Sequence, residues 1–165
     1  RVANFTYSRP SRRSESIGEI LPSLRPYGLD EVTVLWDASG SMLGREREIM
    51  DEVIGLCQEH RMRVRCIGCD DDVRWDARDV ETTDDIPFRY GGGSDFRPAF
   101  DRLEAEGHTG VVVAFTDGAI LVPDTQPPTL QGVLWIVKEG EQNPTGGRWG
   151  ELVQVDRNGF VRDAG

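Results

Sequence analysis

Six oxygen-bearing side chains, held in three short stretches, are the residues of this chain best suited to chemistry. "DASGS" carries Asp37, Ser39 and Ser41; "GGGSD" carries Ser94 and Asp95; "FTDG" carries Asp117. No His or Cys stands among them. Hydroxyl and carboxylate oxygens without softer ligands are the donor set of a hard divalent cation, with Mg²⁺ favoured and Mn²⁺ or Ca²⁺ compatible. Ser39 and Ser41 alternate with small residues, so a tight turn can aim both hydroxyls at one point. The carboxylates then supply charge, either directly or through the groups they orient.

Such side chains converge only if the elements beneath them do. "EVTVLWD", residues 31–37, is β-branched and continuously apolar until Asp37, as expected of a central strand buried on both faces. "REREIMDEVIGLCQEH" repeats apolar residues at helical spacing. "MRVRCIGCDD" and "DVRWDARDV" alternate and are expected to pair as a hairpin. A helix is predicted from about Arg97, with Pro98 in its first turn and Ser94 or Asp95 as its cap. "TGVVVAFTDG", "QGVLWIVKEG" and "GELVQVD" read as three more strands. Strands alternating with helices predict an α/β fold, a mostly parallel central sheet with helices on both faces. In such a sheet the carboxyl ends of the strands form the ligand crevice, where the three oxygen-rich loops should gather.

Composition narrows the class. A chain of 165 residues, 38% hydrophobic and 29% charged, supports a single core. No apolar run reaches membrane-span length, and the polar, Arg-rich start does not read as a signal peptide. The chain opens on Arg1 rather than Met, which fits a piece of a longer protein. The net charge of −10 argues against nucleic acid and anionic membranes as partners. That charge is uneven: residues 1–25 carry five Arg and two Glu. Residues 1–29 are expected to form an extended basic arm packed on an acidic body, residues 30–165, through Ile17, Leu21 or Leu24. Three cysteines, Cys57, Cys66 and Cys69, make no disulfide framework and point to a reducing compartment, hence a cytoplasmic location. "CIGC" lies in a probable strand with no second pair, so it reads as core cysteines rather than a zinc or redox site.

"DASGSM" resembles the D-x-S-x-S motif of von Willebrand factor A (VWA) domains. Ser94 stands where that family usually carries a third hydroxyl, from Thr, and Asp117 matches its distant Asp. The resemblance spans roughly residues 30–155. In its "GGGSDF" loop and its late "LWIV" strand the chain is similar to the C-terminal VWA-like domains of bacterial metallopeptidase-related proteins. The resemblance implies a Rossmann-like VWA fold and a metal-ion-dependent adhesion site (MIDAS) formed by Asp37, Ser39, Ser41, Ser94 and Asp117. It further implies a partner that offers an Asp or Glu to the ion. Bacterial relatives often work beside MoxR-type AAA+ ATPases as adaptors in metal insertion or complex assembly. No H-E-x-x-H signature occurs, so protease activity does not carry over.

Other readings of the same residues exist. Asp37 alone could cap a strand end or accept a phosphoryl group, and Asp117 alone could be an ordinary turn residue. The glycine loop lacks the lysine-bearing phosphate-binding pattern; the only lysine is Lys138. "CDDD" at 69–72 reads as a solvated turn, with Asp70 close to the metal edge. The four tryptophans, Trp36, Trp75, Trp135 and Trp149, read as packing residues. A metal-dependent hydrolase acting on phosphoesters is the competing function. It needs a base or nucleophile. His60 and His108 are the candidates, and both are expected at the wrong ends of the strands. The expectation is therefore a binding module rather than an enzyme.

Overall fold

The computed structural model describes residues 31–39, 46–89 and 91–155. The expected arm and Ser41 lie outside the described residues. Among the described residues six strands form one sheet: β1 Glu31–Asp37, β2 Arg63–Cys69, β3 Val73–Ala77, β4 Val111–Phe115, β5 Gly132–Lys138 and β6 Glu151–Val155. Their order is β3-β2-β1-β4-β5-β6. Every pairing is parallel except β2 with β3, the expected hairpin. The α/β architecture read from the sequence is the one observed.

Among the described residues two helices cover opposite faces. Helix α1, Glu46–Glu59, buries Ile49, Met50, Val53, Ile54 and Cys57 against Val32, Val34 and Trp36 of β1. It stops where Arg61 enters the left-handed region (φ 60°) and the Met62 N–H donates to the Cys57 carbonyl at 2.8 Å, a Schellman-type closure. Helix α2, Arg97–Ala105, buries Ala99, Phe100 and Leu103 on the other face, with Leu35, Val112, Ala114 and Trp135. Alternate residues of β1 therefore feed two cores, which is why its apolar run shows no polar alternation. The start of α2 differs from expectation. Phe96, not Ser94 or Asp95, takes the boundary position, because its fully buried ring packs between Phe100 and Trp135. The Asp95 carboxylate still accepts from the first helical N–H, that of Arg97, at 2.9 Å.

Trp36, Trp75 and Trp135 are buried, and Trp149 packs on the α2-side core, as expected. All three cysteines are free and buried. Cys66 lies in one core and Cys69 in the other. Burial pushes each thiol up to about 12, so none is a thiolate near neutrality. Among the described residues no helix is long and apolar enough to cross a membrane.

Candidate metal centre at the carboxyl ends of the strands

The strand order reverses at β1, which has β2 on one side and β4 on the other. The helices on either side of it cover opposite faces, and in open α/β sheets the carboxyl end of such a strand is where a ligand crevice lies. Asp37 is the last residue of β1 and is 1% exposed. One carboxylate oxygen accepts the Ser39 N–H at 3.0 Å, and the other accepts the Thr116 hydroxyl at 2.8 Å. Burial pushes the Asp37 carboxyl up. Hydrogen bonds from the Ser39 side chain, Thr116 and the Ser39 backbone oppose that rise, and the negative charge of Asp117 adds to it.

The second loop is moulded onto the first. Ala38 donates its N–H to Cys69 O at 2.7 Å and accepts the Gly91 N–H at 3.0 Å, so the backbone after Asp37 is clamped between β2 and the glycine loop. Gly91 must be glycine: a Cβ there would fall 1.7 Å from Asp70 Oδ2. Asp70 is buried rather than solvated, which corrects the reading of "CDDD" as an open turn. Arg74 Nε donates to both of its oxygens at 2.7 Å, and the Asp71 and Asp72 N–H groups cap it. Burial works to raise this carboxyl, but the Arg74 bond and the turn amides hold it below the usual range. Asp70 is thus beside the site, as its strand-end position implied, but its charge is committed to Arg74. Its carbonyl accepts the Asp95 N–H at 2.7 Å, fixing the far end of the glycine loop.

Ser94 sits half-buried in that loop, and its carbonyl accepts the Leu121 N–H at 3.0 Å. The segment after Asp117 therefore runs alongside the segment after Gly93. Asp95 is committed elsewhere: Arg97 holds its carboxylate with two side-chain bonds of 2.9 Å and keeps it below the ordinary range. Asp117 is partly exposed, with one oxygen accepting the Ala119 N–H at 3.0 Å. β4 itself ends at Phe115, two residues before Asp117.

Hydrogen bonds thus join Asp37 to Ser39 and to the turn that carries Asp117, and backbone bonds dock the Ser94 loop beside them. Among the described residues no three His, Cys, Asp or Glu side chains gather to hold a metal. A cation here would rest on hydroxyls with few direct carboxylates, and the donor set fits a hard ion of that kind. The candidate bases are remote. His108 Nε2 lies 3.1 Å from Thr33 Oγ1, four residues along β1 from Asp37, or about 13 Å at strand rise. His60 follows the last turn of α1, just before β2 begins.

A family model described as "VWA-like domain (DUF2201)" matches residues 32–156. The chain belongs to this VWA-like family. A comparison with curated proteins gave no match. The family match covers all three loops of this VWA-like domain, including Thr116, which sequence reasoning passed over. Thr116 is 1% exposed and bonded to Asp37. Nothing local in "FTDG" marks it, because the bond exists only where β4 pairs with β1. Asp70 was expected near the metal edge, but nothing in a run of three aspartates marks it as the buried one.

Proposed function

We propose that this VWA-like domain is a metal-dependent protein-interaction module with a MIDAS-type site built from Asp37, Ser39, Ser41, Ser94 and Asp117. One observation carries the reading. Both Asp37 oxygens are occupied by the Ser39 N–H and the Thr116 hydroxyl, so Asp37 orients neighbouring groups more than it ligates. Ser39 uses its hydroxyl proton on Asp37 and keeps a lone pair for a cation. Direct coordination then falls to Ser39, Ser41 and Ser94, with Asp117 acting directly or through water. A bound Mg²⁺, which favours six oxygens at about 2.0–2.1 Å and exchanges waters, would supply an under-neutralised electrophilic position there. An Asp or Glu side chain of a protein partner is the natural group to fill it. A MoxR-type AAA+ ATPase, or a complex that such an ATPase assembles, is a partner class consistent with the family resemblance. Free buried thiols accord with a cytoplasmic setting.

The hydrolase alternative lacks support from the geometry. His108 and His60 lie toward the amino ends of the strands, too far to move a proton in the crevice. The test is capture of partners by the immobilised domain with Mg²⁺ or with chelator. Wild type should retain a partner only with Mg²⁺, Asp37→Ala should retain none, and His108→Ala should behave as wild type. Equal capture by wild type and Asp37→Ala in chelator would place the interface elsewhere.

A further inference from the structure

We propose that Thr116 is a positioning residue of the metal centre, a hydroxyl that couples the Asp37 carboxylate to the turn bearing Asp117. The inference rests on the metal-site reading above and adds a residue to it. Thr116 Oγ1 donates to Asp37 Oδ2 at 2.8 Å, and the same oxygen accepts the Gly118 N–H at 3.1 Å. A single hydroxyl thus spans β1 and the β4 turn, using its proton on one and a lone pair on the other. The Thr116 N–H donates to Ile136 O at 3.3 Å, which anchors the residue to β5. Neither side of the bridge has slack. Asp37 is fully packed, and its other oxygen is held by Ser39.

The turn beyond is equally constrained. Gly118 has φ +93°, and a Cβ there would lie 2.3 Å from the Gln142 carbonyl oxygen. Gln142 Nε2 donates back to Gly118 O at 3.3 Å. The Asp117 side chain, between Thr116 and Gly118, therefore takes its direction from a turn pinned at both ends. Loss of the hydroxyl removes the donor that fixes one Asp37 oxygen and releases the Gly118 N–H, so both carboxylates lose their set orientation at once. Thr116→Ser retains both bonds, whereas Thr116→Val retains volume and loses both.

The experiment is Mn²⁺ titration of wild type, Thr116→Val, Thr116→Ser and Asp37→Ala, read by electron paramagnetic resonance of the free and bound ion. Circular dichroism and thermal unfolding of the metal-free proteins accompany it. Thr116→Val should weaken Mn²⁺ binding on the order of tenfold, the worth of one charge-assisted hydrogen bond. Thr116→Ser should bind as wild type, and the spectrum of Mn²⁺ bound to Thr116→Val should show an altered ligand field. Wild-type affinity in Thr116→Val, with binding lost in Asp37→Ala, would overturn the role of Thr116 alone. Absence of Mn²⁺ binding by wild type up to millimolar ion would overturn the metal site and this inference with it. Thr116→Ala, which adds no bulk, replaces Thr116→Val if the latter does not fold. Failure of both to fold while Thr116→Ser folds would assign the hydroxyl to stability instead.

Discussion

At Asp37 what folding prefers stands against what the proposed cation would require. Its carboxylate is 1% exposed and holds a charge that burial penalises, and no basic side chain offsets that cost among its hydrogen bonds. The proposed metal ion would compensate it. Asp37→Asn removes the buried charge and can keep both contacts, its carbonyl accepting from Ser39 and its amide donating to the second lone pair of Thr116. The metal-free variant is expected to melt a few degrees higher than wild type near neutral pH, while losing Mg²⁺-induced stabilisation. Differential scanning calorimetry with and without Mg²⁺ checks both. A lower melting temperature in the metal-free variant would mean that the charge is satisfied by something other than a cation.

At the scale of elements, α2 is held to the sheet by apolar packing and by one buried cation. Arg65 of β2 is 0% exposed. It grips Asp76 of β3 through bonds of 2.9 and 2.8 Å and Glu106, just past α2, through bonds of 2.8 and 3.0 Å. Arg102 and Arg78 close the network on Asp76 and Glu106. Burial would raise the Asp76 carboxyl, but Arg65 and Arg102 hold it below the usual range; Arg65 does the same for Glu106. Arg65→Met should cost about 3 kcal/mol, the lower end for breaking a buried pair. The lower end applies because the Glu106 side chain is 35% exposed and keeps some hydration. Urea unfolding measures it.

Acid should erase that difference. Both carboxyls have native values below their unfolded ones, so their contribution is complete above the unfolded range of about 4 and lost as pH falls through the native values. The gap between wild type and Arg65→Met should therefore shrink from pH 7 to pH 3. A gap that stayed constant would show that the guanidinium acts by packing alone.

The whole molecule carries a net charge of −10. Exposed carboxylates repel one another across the surface, and salt shortens the reach of that repulsion from about 30 Å at 0.01 M to about 8 Å at 0.15 M. The melting temperature in metal-free buffer should rise by a few degrees over that range. A fall would mean that attractive surface pairs, such as Arg74 with Asp71 and Arg97 with Asp95, outweigh the repulsion. For the proposed carboxylate-bearing partner, the same field would favour one that presents it from a basic surface, because an acidic one must be brought in against it.

Much of this architecture is written in local pattern. Continuous apolar runs in β1, β4 and β5 are what strands buried on two faces require, and the helical spacing of Ile49, Val53 and Cys57 matches the buried stripe of α1. The placing of "DASGS" and "FTDG" at strand ends follows from where those runs stop, and that of "GGGSD" from the helix it precedes. The sequence could not say which oxygen belongs to which task, because that depends on partners distant along the chain. Thr116 reaches Asp37 across 79 positions only because β4 lies next to β1. Asp70 is buried while Asp71 and Asp72 are exposed, because the ladder shifts register at Gly68/Cys69 and the glycine loop settles on one carboxylate of the three. Phe96 displaced Asp95 from the start of α2 because an aromatic core needed its ring. Residue type and spacing determined the strands, the helices and the oxygen-rich loops that follow β1 and β4 and precede α2. The tertiary structure alone decided that Asp70 is committed to Arg74, Asp95 to Arg97 and Asp37 to Ser39 and Thr116, because hydrogen-bond partners are assigned by packing and not by proximity in sequence.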